Sequence, residues 1–238
     1  MTFRNQAVTK SMRIESAMIL AAGRGERMRP LTDDTPKPLL KAGGTPLIVH
    51  HIRALQKAGI THLVINHAHL GQQLEEYLGK GEQFDVNIRY SSEGEGAALE
   101  TGGGIFKALP LLGKKPFLVV NGDIWTDMDY EGLVIGDVDA HLYMVNNPDH
   151  NPQGDFALSD GKVHQQGSTK LTYSGIGIYR PELFVDCKPG KFPLAPILRN
   201  AMDHDRVSGE LFTGQWIDVG TPQRLQQVTE LLSSSRVG

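Results

Sequence analysis

The sequence predicts an α/β fold in which short buried strands alternate with helices. Two observations carry that prediction. Short apolar runs at 18–20 and 117–120 read as strands buried in a parallel sheet, and 61–66 and 86–90 read as further strands. Helical patterns at 46–58 and 70–78 lie between them. That order favours right-handed parallel crossovers.

Along the chain, Met18, Ile19 and Leu20 form the first buried strand, which breaks at Gly23 and Gly25. In 46–58, Pro46 starts a helix and Gly59 ends it, with Leu47, Ile48, His51, Ile52 and Leu55 at helical spacing. A strand over 61–66, a helix over 70–78 and a strand over 86–90 follow. Residues 91–104 read as a second glycine-rich loop, with a helix from there through Leu109 and a strand over 117–120.

The alternation then changes. Strands are predicted at 139–145, 155–158 and 171–179, with a long turn at 147–152. A helix is expected over 193–203, and strands over 206–213 and 215–219. The last helix starts at Thr221-Pro222, with Thr as N-cap and Pro in the first turn. Ser233, Ser234 and Ser235 are expected to fray. The chain shows no internal repeat and no linker, so 16–238 reads as a single domain behind a flexible N-terminal extension, 1–15.

The 238 residues suffice for a full core. A net charge of −3 suggests neither nucleic acid nor an anionic membrane as partner. Cys187 is the only cysteine, so no intramolecular disulfide forms and a zinc site would need His, Asp or Glu. No apolar stretch approaches the ~20 residues that span a bilayer. The first 15 residues lack an apolar signal core. Together these point to a cytoplasmic protein. His50, His51, His62, His67 and His69 lack the spacing of a zinc site and read as ordinary histidines.

The chemistry centres on 21–38. Glycines turn backbone N–H groups toward an anion, and Arg24, Arg27, Arg29 and Lys37 follow on a loop stiffened by Pro30, Pro36 and Pro38. A phosphate-rich ligand suits this loop. The run lacks the Gly-Lys-Ser/Thr of the Walker loop, and Met28 replaces the third glycine of the dinucleotide fingerprint. Asp123 and Asp218 each end an apolar strand. In open parallel sheets, ligands bind beyond the strands' carboxyl ends. Two such carboxylates beside a phosphate loop suit Mg²⁺, which takes one or two carboxylates with phosphate oxygens and water.

The run Gly23-x-Gly25-x-Arg27-x-x-Pro30-x-Thr32, followed by Pro36-Lys37-Pro38, resembles the signature of the sugar-1-phosphate nucleotidylyltransferases. Asn121-Gly122-Asp123 and Asp218-Val219-Gly220-Thr221-Pro222 match the same family. The resemblance implies a Rossmann-like three-layer fold with a mostly parallel central sheet and a small β-rich sugar-binding part. It implies Arg27, Lys37, Asp123 and Asp218 as catalytic residues, with Mg²⁺ on the two aspartates. Ala22, Gly23, Gly25, Glu26, Arg27, Lys37, Glu93, Thr101, Gly102 and Asn121 would bind the nucleotide, and Gly154, Asp155, Ser174 and Gly175 the sugar.

The implied partners are UTP and a sugar 1-phosphate. The implied sugar is N-acetylmuramic acid 1-phosphate, from bacterial cell-wall recycling. His150, Lys170, Ser174 and the Gly154 N–H are candidates for its lactyl carboxylate. The implied assembly is a monomer or weak homo-oligomer. Guanylyl transfer to mannose 1-phosphate is the alternative. A non-catalytic nucleotide sensor is a further one, opposed by the presence of all four catalytic residues. The chain departs from the family pattern in Glu26, where Thr or Ser is usual. It also lacks a Glu-Lys-Pro segment at 164–169, and 94–99 is longer than usual.

Overall fold

The structure is a computed structural model and describes residues 12–94 and 98–234. The chain runs through β1 (Met12–Arg13), β2 (Ser16–Leu20), β3 (Lys41–Ala42), β4 (Thr45–Pro46), α1 (Leu47–Lys57), β5 (His62–His67), α2 (Gly71–Leu78), β6 (Asn87–Ser92), α3 (Glu100–Leu112) and β7 (Phe117–Asn121). It continues through β8 (Ile124–Thr126), β9 (Val134–Ile135), β10 (Ala140–Val145), β11 (Phe156–Ser159), β12 (Lys162–His164) and β13 (Lys170–Tyr179). The last elements are α4 (Ala195–Asp203), β14 (Val207–Leu211), β15 (Trp216–Asp218) and α5 (Pro222–Ser234).

The central sheet has nine strands in the order β10-β14-β12-β11-β13-β7-β2-β5-β6. The strands β7, β2, β5 and β6 are parallel, as the sequence predicts. The sheet as a whole is mixed rather than mostly parallel. β13 runs antiparallel to β7, β10 and β11, and β12 runs antiparallel to β11 and β14. The reason lies in the connections. Helices join the first half and return the chain to the same end of the sheet, whereas β11, β12 and β13 follow one another through short turns that reverse direction.

Alternation along the parallel strands divides the core. Ala17, Ile19, Leu63, Ile65, Leu118 and Val120 pack with Ile48 and Ile52 of α1 and Leu74 and Leu78 of α2. Their neighbours Met18, Val64, Phe117 and Val119 pack with Ile105 and Ala108 of α3 and Leu198 and Met202 of α4. Period-two geometry sends successive side chains to opposite faces, so one sheet separates two helical layers. In a third, smaller cluster Val228 of α5 joins Ala42, Leu47, Trp125 and Val219.

Several boundaries differ from expectation. Met12–Arg13 pairs with Val134–Ile135, and Ile14 is buried, so the folded chain reaches back to residue 12; residues 1–11 lie outside the description. Ser233 and Ser234 belong to α5, their hydroxyls bonded to the carbonyls of Thr229 and Glu230; Ser235 lies outside the described residues. The strands β8, β9 and β12 escape sequence reading because each is only two or three residues long.

The main correction is α3, which begins at Glu100, so that Gly102, Gly103 and Gly104 are helical. Glycine disfavours a helix by ~1 kcal/mol against alanine. Tertiary packing overrides that preference. A Cβ at Gly103 would lie 2.3 Å from the carbonyl oxygen of Gly190, and one at Gly104 would lie 2.6 Å from Glu93 Oε1.

His51 of α1 is buried, and its Nε2–H donates to the Ile124 carbonyl at 2.9 Å. It thereby ties α1 to the strand beginning beside Asp123. Burial disfavours the imidazolium and lowers the pKa of His51 from the usual 6.5 to about 4.

Gly103→Ala should destabilise the protein by about 1–3 kcal/mol, the range for overpacking, despite improved helix propensity. Unchanged or higher stability in urea unfolding would contradict the close approach. His51 gives a second expectation. The unfolded chain binds its proton near 6.5 and the folded chain only near 4, so stability is intact above 6.5 and lost as pH falls toward 4. The loss is about 3 kcal/mol. His51→Gln should flatten this limb in urea titrations at successive pH values.

Candidate active site

A buried clasp at the carboxyl edge of the parallel strands fixes the base of the site. Ala21 N–H, just beyond β2, donates to Asn66 Oδ1 of β5 at 2.9 Å. Asn66 Nδ2 donates to Glu93 Oε1 at 2.7 Å, and Leu99 N–H donates to Glu93 Oε2 at 2.7 Å. Thus the ends of β2, β5 and β6 and the start of α3 share one polar network. Glu93 lines the cavity, but both its oxygens serve this network.

The glycine-rich loop is folded by its own residues. Gly25 has φ +71°, and a Cβ there would lie 3.0 Å from Thr32 Cγ2 and 3.2 Å from Lys37 Cβ, so glycine is required on both counts. Thr32 is buried, and its hydroxyl donates to the Gly25 carbonyl at 2.8 Å. Arg24 donates to the Thr32 carbonyl at 3.3 Å and contacts the His69 ring. A 3₁₀ turn over Glu26–Met28 then presents Glu26 and Arg27 to the cavity. Neither side chain has a hydrogen bond or ion pair among the described residues. Arg27 lies over Gly220, where an added Cβ would come within 3.0 Å of its guanidinium.

Lys37 sits in a second 3₁₀ turn, Lys37–Leu39, between Pro36 and Pro38. Its side chain is 8% exposed, and Nζ donates to Asp123 Oδ2 at 3.0 Å. Asp123 is 43% exposed and faces the cavity. The ammonium is therefore buried with a partner on one side and donors to spare.

The cavity measures about 480 Å³, within the range of small-molecule sites. Of the residues predicted to bind nucleotide, Ala22, Gly23, Gly25, Glu26, Arg27, Lys37, Glu93, Thr101 and Asn121 line it. Gly102 does not; a Cβ there would meet the Phe192 ring at 2.6 Å, so this glycine serves packing.

Asp218 reaches the same edge by another route. β15 pairs with β8 so that Asp218 opposes Ile124, and Val219 N–H donates to the Asp123 carbonyl at 2.8 Å. The main chains of the two aspartates are therefore adjacent. Their side chains have different partners. Asp218 Oδ2 accepts from Arg224 Nη1 at 2.8 Å and lies 3.2 Å from His150 Nε2. It lines a second cavity, of about 420 Å³, with His150, Phe212, Trp216, Arg224 and Gln227. No group of three or more His, Cys, Asp or Glu among the described residues forms a metal cage.

The four predicted sugar residues line neither cavity. Asp155 closes the turn before β11, accepting from Asn151 Nδ2 at 3.1 Å and Tyr173 N–H at 2.8 Å. Ser174 is buried, accepting from Ile176 N–H at 3.1 Å. Ser174 and Gly175 form the bulge where β13 loses register with β10, and Gly175 packs on Asn121 with φ +80°. Gly154 packs on the Lys170 carbonyl. Lys170 lines neither cavity, and of the carboxylate candidates only His150 does. Sequence reading missed Arg224, Trp216 and Phe212. In sequence, Arg224 looks like any solvated residue in the first turn of a helix.

No helix among the described residues is long and apolar enough to cross a membrane. The model of the nucleotidyl transferase family matches residues 16–152. The chain is 54% identical over 225 residues to the N-acetylmuramate alpha-1-phosphate uridylyltransferase of Neisseria meningitidis serogroup B, covering 90% of this chain and 97% of that one. It is 35% identical to the enzyme of the same name from Caulobacter vibrioides, covering 87% and 92%. The solved inositol-1-phosphate CTP transferase from T. maritima superposes with a TM-score of 0.75 at 18% identity, covering 96% of this chain and 98% of that one, a likeness of fold. By the family match, and by an identity that spans nearly the whole of both chains, the protein belongs to the nucleotidyl transferase family.

Proposed function

We propose that the protein transfers a uridylyl group from UTP to N-acetylmuramic acid 1-phosphate, releasing pyrophosphate. The observation that carries this reading is 54% identity over 97% of a uridylyltransferase of that specificity. The cavity supports it: a glycine loop, an exposed Arg27 and a buried Lys37 converge on one space sized for a nucleotide.

An oxygen of the sugar phosphate attacks the α-phosphorus of UTP, and the bond from that phosphorus to the bridging oxygen of pyrophosphate breaks. The attacking oxygen is already an anion, so no general base is required. The protein's work is positioning and charge neutralisation. Lys37 neutralises the phosphates brought together above Asp123. Arg27, without a partner among the described residues, takes the leaving pyrophosphate. The clasp through Asn66 and Glu93 holds the loop's base still. Asp123 and Asp218 each keep Oδ1 without a partner among the described residues, a donor set that fits Mg²⁺ completed by phosphate and water. They would hold that ion, which supplies charge neutralisation at the phosphate oxygens. A single domain from residue 12, a cytoplasmic setting and a monomeric or weakly associated state complete the reading.

The direct test is pyrophosphate release over a grid of UTP and GTP against N-acetylmuramic acid, N-acetylglucosamine and mannose 1-phosphates. UTP with the muramic compound should be fastest; a faster rate with GTP and mannose 1-phosphate would establish the guanylyltransferase alternative. Asp123→Asn and Asp218→Asn should each lower kcat by at least ~100-fold with melting temperature preserved, the scale of a lost transition-state charge contact. Activity unaffected by EDTA and dialysis would refute the metal assignment. Lys37→Ala should depress kcat more than it raises KM for UTP, because its charge matters most when phosphates converge.

A further inference from the structure

The second cavity adjoins the phosphate-loop cavity across β15, for Asp218 lines one and Gly220, two residues on, lines the other. Nucleotide binding does not account for it. Its wall is of two kinds. Phe212 and Trp216 supply aromatic surface, and the Trp216 indole is fixed by its N–H, which donates to the Ser174 carbonyl at 2.8 Å. Arg224 and His150 supply cationic or hydrogen-bonding groups from two different elements, α5 and the turn after β10.

We propose that Arg224, assisted by His150, binds a carboxylate on the sugar substrate, so that this cavity selects an acidic sugar 1-phosphate over a neutral one. The proposal rests on the uridylyl-transfer reading, whose sugar carries the carboxylate; the cavity assigns the residues that hold it.

Arg224 spends only Nη1 on Asp218, donating to its Oδ2 at 2.8 Å and its carbonyl at 3.2 Å. Nε and Nη2 have no partner among the described residues, and the side chain is 25% exposed. A guanidinium held by one nitrogen keeps a planar pair of donors, the fork that matches a carboxylate. The side chain is already placed. Arg224 N–H is within 3.4 Å of the capping Thr221 hydroxyl, and α5 is anchored through Val228.

The acids of the cavity do not cancel this. Asp218 engages only Nη1 of Arg224 and Nε2 of His150, leaving the Nε–Nη2 edge of the guanidinium to a ligand, and Asp149 is exposed, where solvent screens its charge. A sugar whose 1-phosphate lies near Asp123 would extend across β15 toward the aromatic wall, bringing a ring substituent to Arg224.

Calorimetric titration of N-acetylmuramic acid 1-phosphate and N-acetylglucosamine 1-phosphate into the protein, without nucleotide, tests this independently of turnover. The wild type should bind the muramic compound about 10–100-fold more tightly, as expected for a charge-assisted hydrogen bond. Arg224→Gln should remove most of that ratio, and Arg224→Lys should restore part of it. Loss of Asp218 positioning alone would weaken both sugars equally and leave the ratio intact. Equal wild-type binding of the two sugars, or an unchanged ratio in Arg224→Gln, overturns the proposal. If Arg224→Gln does not fold, the wild-type ratio stands as the deciding measurement, with His150→Gln expected to reduce it severalfold and overturning the proposal if it does not. Turnover on the nucleotide grid separately decides the uridylyl-transfer reading.

Discussion

The structure depends on one buried carboxylate. Glu93 is 6% exposed, at the end of β6, where an unpaired charge would be costly. It is satisfied by two donors, the Asn66 amide and the Leu99 N–H. Because Asn66 also receives Ala21 N–H, the glycine-rich loop leaves β2 in a direction fixed by β5 and β6. The same carboxylate forces Gly104 into α3, since Glu93 Oε1 occupies the space a Cβ would need. A local breach of helix propensity is thus the consequence of a polar network that organises the site.

The parallel half of the fold was legible in the sequence because β2, β5 and β7 are apolar and mostly buried, edge strand β6 alternates, and α1 and α2 are amphipathic, so composition and period agree. That the glycine-rich loop lines a cavity with Arg27 and Lys37 was legible because Gly25, Arg27 and Lys37 combine residue types that few other local structures need together. The second half was not. There, polar residues that resemble ligand contacts are spent on folding: Asp155 ties Asn151 to β13, and Ser174 with Gly175 makes a bulge. Conversely, Arg224 faces a cavity only because β15 pairs with β8 and carries α5 to the sheet edge. A long-range pairing of three-residue strands leaves almost no local signal, so the pairing that places Asp218 beside Asp123 could be anticipated only by resemblance.

The two aspartates also show how a highly charged site is kept stable before its ligands arrive. Each is matched by a cation, Asp123 by Lys37 from a distant segment and Asp218 by Arg224 from the first turn of the helix that follows it. Among the described residues, both pairs leave donors unused on the cation and one oxygen without a partner on the acid. An incoming phosphate or carboxylate can therefore join either cation without first breaking the pair. That avoids the larger penalty of stranding a buried charge, which for Lys37, 8% exposed, would be severe. Arg27 is the exception, exposed and unpaired among the described residues, and it pays no comparable desolvation cost while the site is empty. The difference in burial suits the roles proposed for them: Lys37 is held fixed at the base of the cavity, while Arg27, lying over Gly220, is exposed to an incoming charge.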